Sequence, residues 1–172
     1  KDYIAWLEKN NKAKLMRFCF RYKPEGWKAY PGYAEFDSHK KLINTPETSV
    51  FSKLHLSAYS IEKGCFQCPF ASEERNGDIT LGDYWGVEDE HPEILAENGG
   101  RLDKSMGISC VLINTKKGQQ LLDCLDEKIE RVPSSYEKIA KRNNQLKCPS
   151  SHSIVRDTIF KLYEQKGYPA IE

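Results

Sequence analysis

Residues 63–86 read KGCFQCPFASEERNGDITLGDYWG, and the way this stretch divides decides the fold. Its second half, from Asp78 on, is a short β-rich run punctuated by glycine and aspartate, which marks a strand that ends in a turn at Gly86. Its first half sets Cys65 and Cys68 at Cys-x-x-Cys spacing just ahead of that strand. Two thiolates so spaced grip a soft metal or do redox chemistry. Gly82 and Gly86 supply backbone without a side chain, where a flat cofactor could approach closely.

Upstream, Tyr3, Ile4 and Leu7 recur at helical spacing, with Asp2 as the expected N-cap. From residue 15 to 22 the chain alternates, with Met16, Phe18, Phe20 and Tyr22 facing one way and Arg17, Cys19 and Arg21 the other, as in a strand. Lys23-Pro24-Glu25-Gly26 suits a type I turn, and a second strand over residues 27–30 would complete a hairpin. Residues 48–57 lean to helix. Downstream, residues 91–105 are a loop whose loosest point is Gly99-Gly100. Residues 108–113 form a continuous apolar run expected as a central strand. A helix should follow Asn114-Thr115, with Thr115 as cap and Leu121, Leu122, Leu125, Ile129 and Val132 on one face. Ser134-x-x-Glu137 opens a short helix as a capping box, and Ser153 starts a last one, with Val155, Ile159, Leu162 and Tyr163 inward, that Gly167 and Pro169 end. This order predicts an α+β fold, one domain over residues 1–172, with a mixed β-sheet flanked by helices.

The central block resembles a known family. Cys-x-x-Cys-x-Phe, then Arg75, then Asp-Ile-Thr-x-Gly-Asp-x-Trp-Gly is similar to the C-terminal domain of the coenzyme F-420 hydrogenase/dehydrogenase beta-subunit family. Phe20-Arg21-Tyr22-Lys23 with Gly26-Trp27, and Gly107-Ile108-Ser109 leading to Asn114-Thr115-x-x-Gly118, agree with it. The resemblance implies an iron–sulfur flavoprotein oxidoreductase that passes electrons between a cluster, 4Fe-4S in type, FAD and coenzyme F-420 or another acceptor. It assigns Cys65 and Cys68 to the metal. It places Arg21, Lys23, Arg75, Asp78, Gly82, Asp83, Trp85 and Gly86 around the flavin or substrate.

The residues themselves leave rival accounts standing. A four-iron cluster needs four thiolates and the pair supplies two; Cys148-Pro149 and Cys19 are weaker candidates, so the remaining ligands are expected upstream. Zinc would need two of His39, His55, His91 and His152, each expected at the surface. Asp83 shares its alternation face with Ile79, Leu81 and Trp85, where an unbonded carboxylate would be costly. It serves equally well as a cap on the turn at the strand end. Arg75 could hold its loop or touch a cofactor. Arg21 and Lys23 are the preferred anion binders. Glu88, Asp89 and Glu90 are expected to form a solvated acidic turn.

Bulk numbers exclude several classes. The 172 residues carry 26 basic and 25 acidic side chains, a formal charge of +1, so no broad nucleic-acid field is expected. No apolar run is long enough for a membrane span and no signal peptide is visible. Six cysteines, too sparse for a disulfide scaffold, suit a reduced cytoplasmic setting. The Lys1-Asp2 start suggests a piece of a longer protein, with an upstream domain and a redox partner subunit as the expected partners. Without a Ser/His/Asp triad, P-loop or paired carboxylates, the chemistry would belong to the cofactors, and the isolated chain is expected to be inactive. The rivals from other classes are a zinc-stabilised structural domain and a cofactor-free interaction module.

Overall fold

The structure, a computed structural model, describes residues 1–24, 26–27, 32–45, 47–125 and 128–172. The chain divides into two compact units, Lys1–Lys63 with Ser151–Glu172, and Gly64–Ser150. The α+β class holds, but the strands form two antiparallel sheets rather than one mixed sheet.

In the first unit, α1 (Asp2–Asn11) is capped at Lys1, one residue ahead of the expected Asp2, and buries Tyr3 and Leu7. It packs on a sheet of three strands in the order β1 (Leu15–Cys19), β2 (Gly32–Phe36) and β3 (Lys41–Asn44). β2 alternates as a one-sided strand should: Gly32, Ala34 and Phe36 are buried while Tyr33 and Glu35 are half-buried. An irregularity between Leu15 and Arg17 interrupts the expected alternation of β1. Bulges re-aim side chains in this way, and Met16 and Phe20 stand 66% and 68% exposed while Phe18 turns toward the core. The expected strand over residues 27–30 lies mostly outside the described residues. The expected helix exists as α2 (Val50–Leu56), capped by Ser49.

Aromatic packing holds this unit. The Tyr3 ring stacks on Phe51 at 4.8 Å, and its hydroxyl lies 3.0 Å from Ser49 Oγ. Phe36, 1% exposed, contributes about 1.5–3 kcal/mol by burial. The last helix, α6 (Ile154–Lys166), is capped by Ser153 and ended by Gly167, as the sequence predicts. Its buried residue is Arg156 rather than Val155, which is 41% exposed. Arg156 Nε and Nη2 each donate to the Ile61 carbonyl at 3.1 Å, which satisfies the guanidinium inside the unit.

In the second unit, β4 (Ile79–Asp83) pairs antiparallel with β5 (Ser109–Ile113). Among the described residues β5 is therefore an edge strand and not a central one. Tyr84, Val87, Cys110, Ile139, Ala140 and Leu146 form the core, supplied by the residue after β4, by β5, by α3 (Val87–Glu90), by α5 (Tyr136–Ala140) and by the 3-10 turn Asn144–Leu146. α4 (Lys116–Asp123) is capped by Thr115 but stops at Asp123. Ile129 and Val132, expected on its face, lie beyond it in non-helical chain and are 40% and 41% exposed. Pro133 disfavours helix for the residue before it.

The loop after α3 is more ordered than its composition suggests. It holds three single 3-10 turns and a parallel bridge between Leu95 and Leu102, with Leu95 1% exposed as its plug. Gly100, expected at the loosest point, is packed: a Cβ there would fall 2.1 Å from the Ile94 carbonyl carbon. The acidic turn is also partnered. Asp89 pairs with Arg142 at 2.5 Å and Glu90 with Lys141 at 2.6 Å, tying α3 to the end of α5.

Candidate functional site

Cys65 lies in a 3-10 turn, Lys63–Gln67, where Cys65 is exposed, and Cys68 follows it half-buried. Both thiols are free. The loop after them folds back on itself: the Ala71 N–H donates to the Cys68 carbonyl at 3.2 Å. Arg75 Nη1 donates to the Phe70 carbonyl and, at 3.3 Å, to that of Ser72. Arg75 thus fastens the segment behind the cysteine pair. The Ser150 N–H donates to the Cys65 carbonyl at 3.1 Å, which brings the Cys148-Pro149 segment alongside the turn.

Among the described residues, no three His, Cys, Asp or Glu side chains come together to hold a metal. The donor set therefore fits a soft metal in kind but supplies only a pair of ligands. No histidine joins the pair. His39, His55 and His152 belong to the first unit, where His152 Nε2 lies 3.1 Å from Asp157.

At the strand, Asp78 anchors α4. The Thr115 hydroxyl donates to Asp78 Oδ1 at 2.6 Å and Lys117 Nζ sits 3.4 Å from Oδ2. The Thr115 bond holds the Asp78 carboxyl below its usual range, against the opposing effect of burial and with Lys117 adding to the lowering. Gly118 explains why the helix can start so close: a Cβ there would lie 2.1 Å from the Asp78 carbonyl oxygen. Asn114 Nδ2 closes the junction with bonds to Gly77 O (2.8 Å) and Thr80 Oγ1 (3.1 Å).

The buried side of the strand end belongs to Tyr84, 8% exposed, while Leu81 (66%) and Trp85 (39%) point outward. Asp83 is half-buried on the outer face, so the desolvation cost expected from its apolar neighbours is small. Gly82 could carry a side chain without a clash: an added Cβ would make an ordinary contact with Cys110 Sγ, at 3.6 Å. Gly86 takes φ 82° and caps α3, and an added Cβ would fall 2.6 Å from Arg142 Cδ. Its positive φ is a structural requirement.

Arg21 and Lys23 belong to the first unit, exposed just beyond the end of β1. Cys19 Sγ donates to the Arg21 carbonyl at 3.2 Å, and Lys23 Nζ lies 5.7 Å from the centre of the Trp27 ring. The other candidate residues, from Cys65 to Gly86, all belong to the second unit.

One cluster escaped the sequence reading. His91, expected at the surface, is 6% exposed. Its Nε2 lies 2.8 Å from Ser134 Oγ and its Nδ1 3.1 Å from Glu93 Oε1, while Ser134 Oγ is also 3.0 Å from the Tyr84 hydroxyl. Burial pushes the Tyr84 hydroxyl up, against the lowering effect of its Ser134 bond. Ser134 is free for this because the cap of α5 is its neighbour Ser135. These groups line a cavity of about 1140 Å³, together with β5 and residues 129–136. Beside it, burial raises the Cys110 thiol, which is therefore a packing group rather than a nucleophile.

No helix among the described residues is long and apolar enough to cross a membrane. No curated protein and no solved structure matches the chain. Comparison with protein families matches residues 8–135, well over half of the chain and including both cysteines and the whole of β4 and β5. The chain belongs to the family formed by the C terminus of the coenzyme F420 hydrogenase/dehydrogenase beta subunit.

Proposed function

We propose that this chain is the C-terminal part of an iron–sulfur flavoprotein oxidoreductase and that Cys65 and Cys68 supply two thiolates to a 4Fe-4S cluster. The carrying observation is the pair itself: two free thiols, one in a turn and one just after it, with the following loop fastened by Arg75. The other ligands come from outside this chain, in keeping with a C-terminal portion of a larger protein. Bound there, a cluster would supply one-electron transfer. The chain's own part is to hold the two sulfurs at the surface, where a second set of ligands can reach them.

The strand end is our candidate border for FAD. Leu81 and Trp85 expose their side chains there, a surface against which a flat aromatic ring could pack, while Gly82 faces Cys110 on the other side of the strand. Asp83 lies on the same face as Leu81 and Trp85. Asp78 and Gly86 act here as supports, one pinning α4 and the other turning the chain into α3. Arg21 and Lys23, in the other unit, are exposed cations that we assign to an anionic ligand in their own right, and coenzyme F-420 is one choice of acceptor. A zinc-only structural role is the competing account of the same thiols.

Electron paramagnetic resonance of the dithionite-reduced, anaerobically purified beta subunit tests the assignment. A reduced-cluster signal that Cys65→Ser abolishes and Cys148→Ser leaves in place supports it. A silent protein that contains zinc instead overturns it.

A further inference from the structure

Among the described residues, the outer edge of β5 has no strand partner. The Tyr84 N–H donates to Ile108 O at 2.8 Å and the Asn114 N–H to Asp78 O at 3.0 Å, so even-numbered residues of this stretch turn their backbone groups to β4. By antiparallel alternation Ser109, Val111 and Ile113 turn theirs the other way. Among the described residues no group meets those N–H and C=O groups. An exposed row of this kind is a template for another strand.

The edge faces the cavity of about 1140 Å³ that residues 129–136 also line. Within that lining, residues 129–133 form neither helix nor strand, and Ile129 and Val132 expose 40% and 41% of their surface. Two of the first four side chains are β-branched, which favours strand. Pro133 ends the run, where a missing N–H does least harm. The segment is tethered beyond that end, since Ser134 bonds to His91 and Tyr84 and Ser135 caps α5. The order β5, α4, residues 129–133 is a strand, a helix and a segment that is neither helix nor strand. That is the arrangement that returns a chain to its own sheet as a parallel strand through a right-handed crossover. Being part of the same chain, the segment reaches the edge at a higher effective concentration than any separate peptide.

We propose that residues 129–133 are a strap that adds to the free edge of β5 as a third, parallel strand and closes the cavity, with the His91–Ser134–Tyr84 bonds as its fixed end. Lifted, the strap opens the cavity to small molecules. Closed, it fills the cavity and completes the sheet. This inference is independent of the cofactor assignment.

Amide hydrogen exchange followed by NMR tests it, with Glu130→Pro and Arg131→Pro as companions. The strap predicts that the Val111 and Ile113 amides exchange within roughly tenfold of those of Cys110 and Leu112. A paired strand turns only alternate N–H groups to its neighbour, so one of the two prolines should speed exchange at Val111 and Ile113 by roughly tenfold or more and the other should not. Unprotected Val111 and Ile113 beside protected Cys110 and Leu112 would overturn the proposal. Two prolines of equal effect, or protection gained only when an extended peptide is added, would overturn it as well.

Discussion

Gly118 and Gly82 sit close to the same two strands and should respond to alanine in opposite ways. At Gly118 the new methyl would fall 2.1 Å from backbone, which cannot move aside as a side chain can. At Gly82 it would make an ordinary 3.6 Å contact with sulfur. Urea unfolding should show Gly118→Ala losing about 1–3 kcal/mol, with Gly82→Ala within about 1 kcal/mol of wild type. Thr115→Val should alter the acid limb of stability. Because the folded Asp78 carboxyl is held below its usual value, its contribution is present above about pH 4 and is lost as pH falls through the lowered value. The part of the variant's deficit due to that bond is therefore full at neutral pH and shrinks on acidification, whereas the lost cap to Gly118 costs the same throughout. A pH series of unfolding midpoints reads this directly. Thr115 as a cap and Gly86 at positive φ were legible in the sequence because both are set by local chain geometry. The His91–Ser134 bond was not, since it joins residues 43 apart. The pattern that named Ser134 as a cap also sat beside an equally capable neighbour, Ser135.

Among elements, α6 was legible from Ser153 to Gly167, and Ile159, Leu162 and Tyr163 of its expected inner face are half-buried, but Val155 is exposed. A helical stripe predicts apolar residues inward, but Arg156 takes the buried place because the Ile61 carbonyl waits there for a donor. Arg156→Leu should cost about 2 kcal/mol in thermal or urea unfolding, the loss of charge-assisted bonds to a buried acceptor. Arg156→Lys should recover little, since one ammonium cannot repeat the forked contact. α4 shows the opposite error. Apolar residues spaced as far as Val132 suggested a long helix, but the observed helix ends at Asp123. Ile129 and Val132 lie in chain that is neither helix nor strand, and short apolar runs do not separate helix from other states by pattern alone. Strand pairing was the least readable feature. Nothing in the sequence states that β4 and β5 pair only with each other among the described strands, while β1, β2 and β3 form a separate sheet.

At the scale of the molecule, the candidate residues divide between the two units: Arg21 and Lys23 in one, the cysteines and the β4 end in the other. Within the second unit, cysteine access separates working from packing groups. A maleimide titration at neutral pH should modify exposed Cys65 and Cys148 well before Cys110, which is buried and whose thiol is raised. Family membership covers the cysteine pair and the strand end, and the assignment of iron to the pair is the claim on which the rest of the account turns. The most direct measurement is iron and acid-labile sulfide in the anaerobically purified beta subunit, wild type against Cys65→Ser/Cys68→Ser. The account predicts iron and sulfide in equal amounts in the wild type and the loss of both in a variant that remains folded. Iron and sulfide retained by the variant, or a folded wild type holding neither, would contradict it.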